Sequence, residues 1–169
     1  PIPDKNFVGR EELILDITET ANSRHFIAIL GIQGVGKTAI MKQIASQYDT
    51  QRIFWYEFYP GLFSLRTIIS DLADFLSSVI GSNLGFLSQH PFLTDNKRIA
   101  LLLEILNSSE CYLFFDSAQF IEDDPAIVSF FTILKDGLQL GNVFIASRSI
   151  PSFFNPIDEI EHRTKYIEL

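Results

Sequence analysis

The sequence GIQGVGKT, at residues 31–38, matches the pattern G-x-x-x-x-G-K-[ST]. An apolar run at residues 25–30 precedes it, and residues 37–48 follow with apolar side chains at helical spacing. Glycines in such a loop permit backbone conformations that a Cβ would hinder, so successive N–H groups can turn toward one anion. The stretch therefore predicts a phosphate-binding loop between a strand and the positive, amino-terminal end of a helix.

Individual residues of this loop have separable expected roles. Lys37 would place its ammonium charge on the β- and γ-phosphates of a nucleotide, and the Thr38 hydroxyl would bind Mg²⁺. We therefore expect ATP or ADP, with Mg²⁺, as the cofactor. The other predicted nucleotide contacts in the loop are Gly31, Gln33, Gly34, Val35, Gly36 and Ala39.

A second motif is the acidic end of an apolar run, CYLFFDSAQF at residues 111–120. Asp116 occupies the position of a Walker B aspartate, which holds Mg²⁺. Ser117 follows where many ATPases have a carboxylate, so we expect hydrolysis to be slow or to need outside help. Gln119 could orient the attacking water, and Glu57, at the end of another predicted strand, could act as its base. The sequence leaves this choice open.

A third motif is NVFIASR at residues 142–148, which ends in Ser147 and Arg148. An arginine there can reach the γ-phosphate and distinguish ATP from ADP, although an exposed arginine at a strand end is the plainer alternative. We predict the sensing role because the other two motifs are present. The predicted catalytic residues are thus Lys37, Asp116 and Arg148.

Strand and helix patterns alternate along the chain. The predicted helices cover residues 10–22, 37–48, 64–79, 96–107 and 124–140, and the predicted strands cover residues 25–30, 52–58, 111–115, 142–147 and 165–169. Residues 81–91 are expected to form a loop. Nearly continuous apolar strands joined by helices predict a parallel sheet covered on both faces, a three-layer α/β sandwich.

Composition narrows the expected partners and location. The 169 residues are 47% hydrophobic and carry a net charge of −8, which disfavours direct binding of nucleic acid. The sequence has neither a signal peptide nor an apolar run near 18 residues, so we expect a cytoplasmic protein with no membrane contact. A single cysteine, Cys111, rules out an internal disulfide. The chain begins with Pro1, and we expect it to be part of a longer protein.

The order of FVGRE (residues 7–11), the phosphate loop, FFDSA, FIASR and KYIEL (residues 165–169) resembles the STAND class of P-loop ATPases, the signal-transducing ATPases with numerous domains. The AP-ATPase or NB-ARC-like branch is the nearest in pattern. This resemblance implies a five-stranded sheet of order 5-1-4-3-2. It also implies that Ser147 and Arg148 are the family's sensor 1 pair.

The same resemblance assigns the amino-terminal segment. Phe7 and Val8 would contact adenine through their backbones, and Gly9 and Arg10 would close that side of the nucleotide. Residues 1–24 would then be the base-binding segment and its helix, and residues 25–169 the P-loop core, within a single domain of residues 1–169.

The function that the resemblance implies is a switch. ATP and ADP would favour different conformations, slow hydrolysis would link them, and the full-length protein would self-associate. Helical, winged-helix and sensor-repeat domains would follow this chain in the parent protein. Two alternatives remain open: a nucleotide-binding scaffold without turnover, which Ser117 favours, and an AAA+ ATPase of the origin-recognition or clamp-loading type.

Overall fold

A five-stranded parallel sheet forms the centre of the computed structural model, which describes residues 10–121, 124–154, 157 and 164–169. The strands are β1 (Phe26–Leu30), β2 (Ile53–Glu57), β3 (Tyr112–Asp116), β4 (Asn142–Ser147) and β5 (Thr164–Glu168). Their order across the sheet is β2-β3-β4-β1-β5. This is the predicted order 5-1-4-3-2 read from the opposite edge, so the fold prediction is confirmed.

Six α-helices accompany these strands in the described residues. They are α1 (Glu11–Ala21), α2 (Lys37–Ala45), α3 (Leu65–Ile80), α4 (Phe86–Gln89), α5 (Asp95–Ser109) and α6 (Pro125–Gly137). Short 3₁₀ turns occupy Thr50–Arg52 and Ala118–Phe120. None of the helices in the described ranges is both long enough and apolar enough to cross a membrane.

Several predicted boundaries were wrong. Helix α2 ends at Ala45 and not at residue 48, because the Tyr48 ring stacks on Tyr112 of β3 at a centroid distance of 3.8 Å. Helix α6 ends at Gly137 and not at residue 140, since Leu138 leaves the helical conformation and turns into the core. Helix α4 lies in the segment that we expected to be a loop; one turn is too short to show a periodic pattern.

The sheet is covered on both faces, and each strand contributes to two cores. Phe26, Ala28 and Leu30 of β1 pack into one cluster with the apolar faces of α3, α5 and α6. Ile27 and Ile29 pack into the other, with α1 and α2. Because successive residues of a strand point to opposite faces, this division explains why β1 is apolar throughout. The predicted three layers are therefore present.

Helix starts follow local capping chemistry. Ser64 and Thr67 form a reciprocal capping box at α3, in which the Ser64 hydroxyl accepts from the Thr67 N–H at 3.2 Å. At α6 the Asp124 carboxylate accepts from the N–H groups of Ala126 and Ile127, and Pro125 is the first helical residue. The Asp124–Pro125 pair therefore accounts for the start of α6.

The parallel arrangement determines where functional side chains can meet. All five strands end at the same edge of the sheet, so the segments that follow β1, β2, β3 and β4 are neighbours there. In open α/β sheets, ligands bind outside these carboxyl ends. The three sequence motifs all lie at this edge.

Candidate phosphate-binding site

The loop between β1 and α2 has the backbone conformation that its glycines predict. Gly36 adopts φ +101° and is the residue before the first turn of α2, which begins at Lys37. A residue with a side chain would be strained in this conformation. The free N–H groups at the start of α2 therefore lie at the loop, where the helix dipole favours a negative charge. The Gly31 N–H donates to the Ser147 carbonyl at 3.2 Å, which ties the loop to β4.

Lys37 is held across this loop. Its Nζ donates to the carbonyl oxygens of Gly31 at 2.6 Å and Ile32 at 3.0 Å. Burial lowers the pKa of Lys37; the charge of Asp116 opposes this effect and that of Arg148 adds to it. The ammonium group is thus the cation of the loop, and its present partners are neutral carbonyls that an anion could replace.

Thr38 and Asp116 connect α2 to the end of β3. The Thr38 hydroxyl donates to Asp116 Oδ2 at 2.6 Å, and Asp116 Oδ1 accepts from the Ser117 N–H at 2.7 Å. Asp116 is almost completely buried, so its orientation is fixed. A hydroxyl and a carboxylate are oxygen ligands of the kind that Mg²⁺ prefers.

These two residues fit a magnesium ion that shares a phosphate ligand. The described residues contain no group of three or more His, Cys, Asp or Glu side chains that could hold a metal. Mg²⁺ usually takes only one or two protein ligands and completes its shell with water and phosphate oxygens. The pair beside the loop supplies that number, so its chemistry agrees with the predicted Thr38 and Asp116 ligands.

Arg148 lies over the same loop. Its Nη2 donates to Gln33 Oε1 at 3.0 Å, and both side chains are exposed. The contact forms because β4 is the neighbour of β1, so that the end of one strand meets the loop after the other. Arg148 therefore stands beside the positions where phosphates would bind.

The site residues enclose a cavity of about 400 Å³ at the edge of the sheet, within the usual size range for ligand sites. It is lined by Gln33, Gly34, Gly36, Lys37, Thr38, Ala39, Asp116, Ser117, Gln119, Phe120 and Arg148. Phe120 was not predicted to be a site residue, because it is an apolar residue at the end of the stretch CYLFFDSAQF. Gln119 has its Oε1 atom buried without a hydrogen-bond partner in the described part of the chain.

The predicted contacts of the amino-terminal segment involve residues 7–10, of which the structure describes Arg10. Phe7, Val8 and Gly9 lie outside the described residues. Arg10 precedes α1, and its Nη1 atom is buried without a hydrogen-bond partner among the residues described. A Cβ placed on Gly36 would be 4.0 Å from that atom. The structure thus brings Arg10 to the phosphate loop.

Two further strand-end residues have clear positions. Ser147, the residue before Arg148, is fully buried, and its hydroxyl is without a hydrogen-bond partner in the described ranges. Glu57 is exposed at the end of β2, in register with Asp116 of the neighbouring strand. The structure therefore places both expected candidates for water activation, Glu57 and Gln119, at the same edge as the loop.

Comparison with solved structures shows the fold. No protein-family model and no curated protein sequence matches this chain. A STAND protein with a tetratricopeptide repeat sensor from Pyrococcus horikoshii superposes with a TM-score of 0.76 at 22% identity, covering 99% of this chain and 24% of its own. Cdc6p from Pyrobaculum aerophilum gives 0.61 at 20% identity, covering 98% of this chain and 46% of its own.

A Walker-type ATPase of Pyrococcus abyssi is also similar, with a TM-score of 0.62 at 18% identity over 86% of this chain and 46% of its own. This chain thus spans less than half the length of each of these proteins. The resemblance to STAND ATPases is confirmed at the level of the fold, which is that of a P-loop ATPase domain.

Proposed function

We propose that this chain is the nucleotide-binding switch domain of a STAND-type signalling ATPase, which binds ATP or ADP with Mg²⁺ and hydrolyses ATP slowly. One observation carries the proposal. The Thr38 hydroxyl and the Asp116 carboxylate, from segments 78 residues apart, meet at 2.6 Å beside the glycine loop and Lys37. A phosphate-binding loop paired with a buried acidic strand end is what a magnesium–nucleotide complex requires.

Different groups of the chain would bind different parts of the magnesium–nucleotide complex. The N–H groups at the start of α2 would donate to the β-phosphate, and Lys37 would exchange its two carbonyl partners for phosphate oxygens. Thr38 and Asp116 would hold Mg²⁺, which neutralises phosphate charge when bound. Phe7, Val8, Gly9 and Arg10 are proposed to close the base and ribose side.

Arg148 would distinguish the two nucleotides. Its guanidinium is held by a neutral amide oxygen of Gln33, so a γ-phosphate would be the stronger partner. ADP lacks that group and would leave the arginine on the loop. Two arrangements of one side chain, selected by the ligand, are the minimal element that a nucleotide switch needs.

Other parts of the parent protein belong to the proposal. We infer that further domains accompany this chain, because it covers only 24% of the STAND protein with a repeat sensor. Nucleotide-dependent self-association in the full-length protein and domains carboxyl-terminal to residue 169 follow from the same resemblance. A cytoplasmic location is proposed with them.

The test compares binding of ATP and ADP, with Mg²⁺, to the chain and to two variants. We expect Lys37→Ala to weaken both nucleotides. We expect Arg148→Ala to weaken ATP by roughly tenfold to a hundredfold, the value of a hydrogen bond to a charged group, and to leave ADP unchanged. Arg66→Ala, which removes an exposed arginine of α3, is the matched control. Equal weakening of ATP and ADP by Arg148→Ala would contradict the sensing role.

A second candidate is a scaffold that binds nucleotide without turnover, and one observation favours it. Ser117 adopts φ +62° and holds the Asp116 carboxylate through its N–H, but it contributes no carboxylate of its own. Phosphate release over many hours separates the two functions, with Lys37→Ala as background. Release above that background supports the slow ATPase, and tight ATP binding without it supports the scaffold.

A further inference from the structure

The register between β2 and β3 places a second carboxylate beside Asp116. Trp55 pairs with Phe114, and Glu57 pairs with Asp116. The Trp55 and Phe114 rings stack, with a centroid distance of 5.5 Å and planes 13° apart, on the face of the sheet that α1 and α2 cover. Because side chains alternate along a strand, Glu57 and Asp116, each two residues further on, project from that same face.

This face is the one that carries the phosphate site. Thr38 of α2 donates to Asp116 there, and neighbouring strands lie about 4.8 Å apart. The ladder continues past Glu57, since the Phe58 N–H donates to the Asp116 carbonyl at 3.0 Å. Glu57 is therefore fixed by paired backbone on both sides, although its side chain is exposed to the solvent.

Tyr59 lies close enough to Glu57 and Asp116 for their charges to affect its phenol. The pKa of its phenol is raised by the hydrogen bond to Glu57 and by the negative charges of Glu57 and Asp116. The phenol therefore stays neutral beside the two carboxylates.

Among the described residues, the alternatives at this edge lack the necessary chemistry. A group that removes a proton from water near neutral pH must be a base, and neither the Ser117 hydroxyl nor the Gln119 amide is one. Asp116 is engaged by Thr38 and by the Ser117 N–H. Strand β5 also ends in a carboxylate, Glu168, but β1 and β4 separate it from β3.

We propose that Glu57 is the general base of ATP hydrolysis in this chain, in the role that Ser117 leaves unfilled. The inference rests on the proposed function. The water oxygen forms a bond to the γ-phosphorus as the bond between that phosphorus and the bridging oxygen of ADP breaks. Glu57 takes the proton of the water and releases it to solvent, so that ADP and inorganic phosphate are the products.

The experiment separates turnover from binding. We expect Glu57→Gln, which keeps the shape and removes the base, to lower the rate of phosphate release by at least about a hundredfold. Calorimetry should show that its affinities for ATP and ADP with Mg²⁺ are unchanged. After prolonged incubation, chromatography of the nucleotide released from the protein should find ADP for the original chain and ATP for the variant.

Two comparison variants test whether the loss of turnover is specific to Glu57. Glu104→Gln makes the same change on an exposed position of α5, which packs on the opposite face of the sheet, and should behave like the original chain. Gln119→Ala should keep measurable turnover. If Gln119→Ala abolishes turnover while Glu57→Gln retains it, the assignment is overturned.

Three other outcomes would also count against the assignment of Glu57 or against the proposed function. Loss of ATP binding in Glu57→Gln would make Glu57 a binding residue and overturn the proposal. If the original chain binds ATP but releases no phosphate above the Lys37→Ala background, the assignment of Glu57 as general base is overturned, while nucleotide binding is supported. If the original chain binds no nucleotide at all, the proposed function fails first.

Discussion

Three side chains of the phosphate site, those of Lys37, Thr38 and Arg148, already have partners within the protein. Lys37 donates to loop carbonyls, Thr38 to Asp116 and Arg148 to Gln33. Nucleotide binding must therefore exchange these hydrogen bonds for stronger ones to charged oxygens. We therefore expect that a single substitution can remove each exchange separately.

Thr38→Val is the sharpest of these changes, because valine matches threonine in shape and lacks the hydroxyl. We expect the variant to lose most of the increase in nucleotide affinity that Mg²⁺ produces, roughly tenfold for one ligand contact. Affinity in the presence of EDTA should be unchanged, since the loop amides and Lys37 remain. Calorimetry with Mg²⁺ and with EDTA measures both values. An equal loss in both conditions would show that Thr38 acts on the loop and not on the metal.

Thr132→Val is the matched control, because within the described residues the Thr132 hydroxyl donates only to the Val128 carbonyl of its own helix, α6, at 2.9 Å. Its nucleotide affinities should be those of the original chain in both conditions.

Residue identities at the site were predictable from sequence because the motif fixes both residue type and spacing. The contacts of exposed side chains were not. The hydrogen bond from Arg148 to Gln33 joins residues 115 positions apart and depends on the neighbouring places of β1 and β4. Likewise, the sequence left Glu57 and Gln119 as open choices, and the position of Glu57 opposite Asp116 depends on the register of β2 and β3.

In the described part of the chain, apolar patterns predicted all five strands and five of the helices α1–α6. They failed where a tertiary contact ends an element, as Tyr48 does after α2, and where an element is a single turn, as α4 is. Helix periodicity is a property of several turns, so neither feature could be seen in the pattern.

The connection between α6 and β4 depends on Gly141. This residue has φ +78°, and a Cβ there would lie 2.0 Å from the Cys111 carbonyl oxygen and 3.0 Å from the Cys111 nitrogen. Both are backbone atoms at the start of β3, so the main chain itself would have to move. We expect Gly141→Ala to lower the free energy of unfolding by about 3 kcal/mol or more, combining backbone strain with overpacking.

Gly81→Ala separates the two causes. Gly81 ends α3 with φ +66°, and a Cβ there would meet no atom within 4 Å. Strain alone should therefore cost about 1 kcal/mol. Urea unfolding of both variants checks the difference. Equal losses would mean that the region of Cys111 and Gly141 relaxes at no cost.

In the whole molecule, the excess of acidic residues disfavours direct binding of nucleic acid. With a net charge of −8, the chain should repel the phosphate backbone. We expect no binding to a fluorescent DNA duplex at low salt, either with or without ATP, in an anisotropy titration. Saturable binding that weakens as salt rises would reveal a local basic surface and favour the origin-recognition alternative.

The sheet order followed from the resemblance to STAND ATPases, since local patterns identify strands but not their neighbours. What the pattern of apolar strands did determine was that helices cover both faces, because a strand such as β1 has no polar side. The nucleotide contacts of Phe7, Val8 and Gly9 stay a prediction.

The proposed function depends on binding of a polyphosphate by the main-chain N–H groups of residues 34–38 together with the Lys37 ammonium group. The most direct measurement is the amide spectrum of ¹⁵N-labelled chain during titration with ADP and Mg²⁺. We predict large, saturable shifts of the Gly34, Gly36 and Lys37 amide signals, and none in Lys37→Ala at the same concentrations. If the chain is folded and its loop signals stay in place up to high nucleotide concentration, the loop does not bind the nucleotide phosphates.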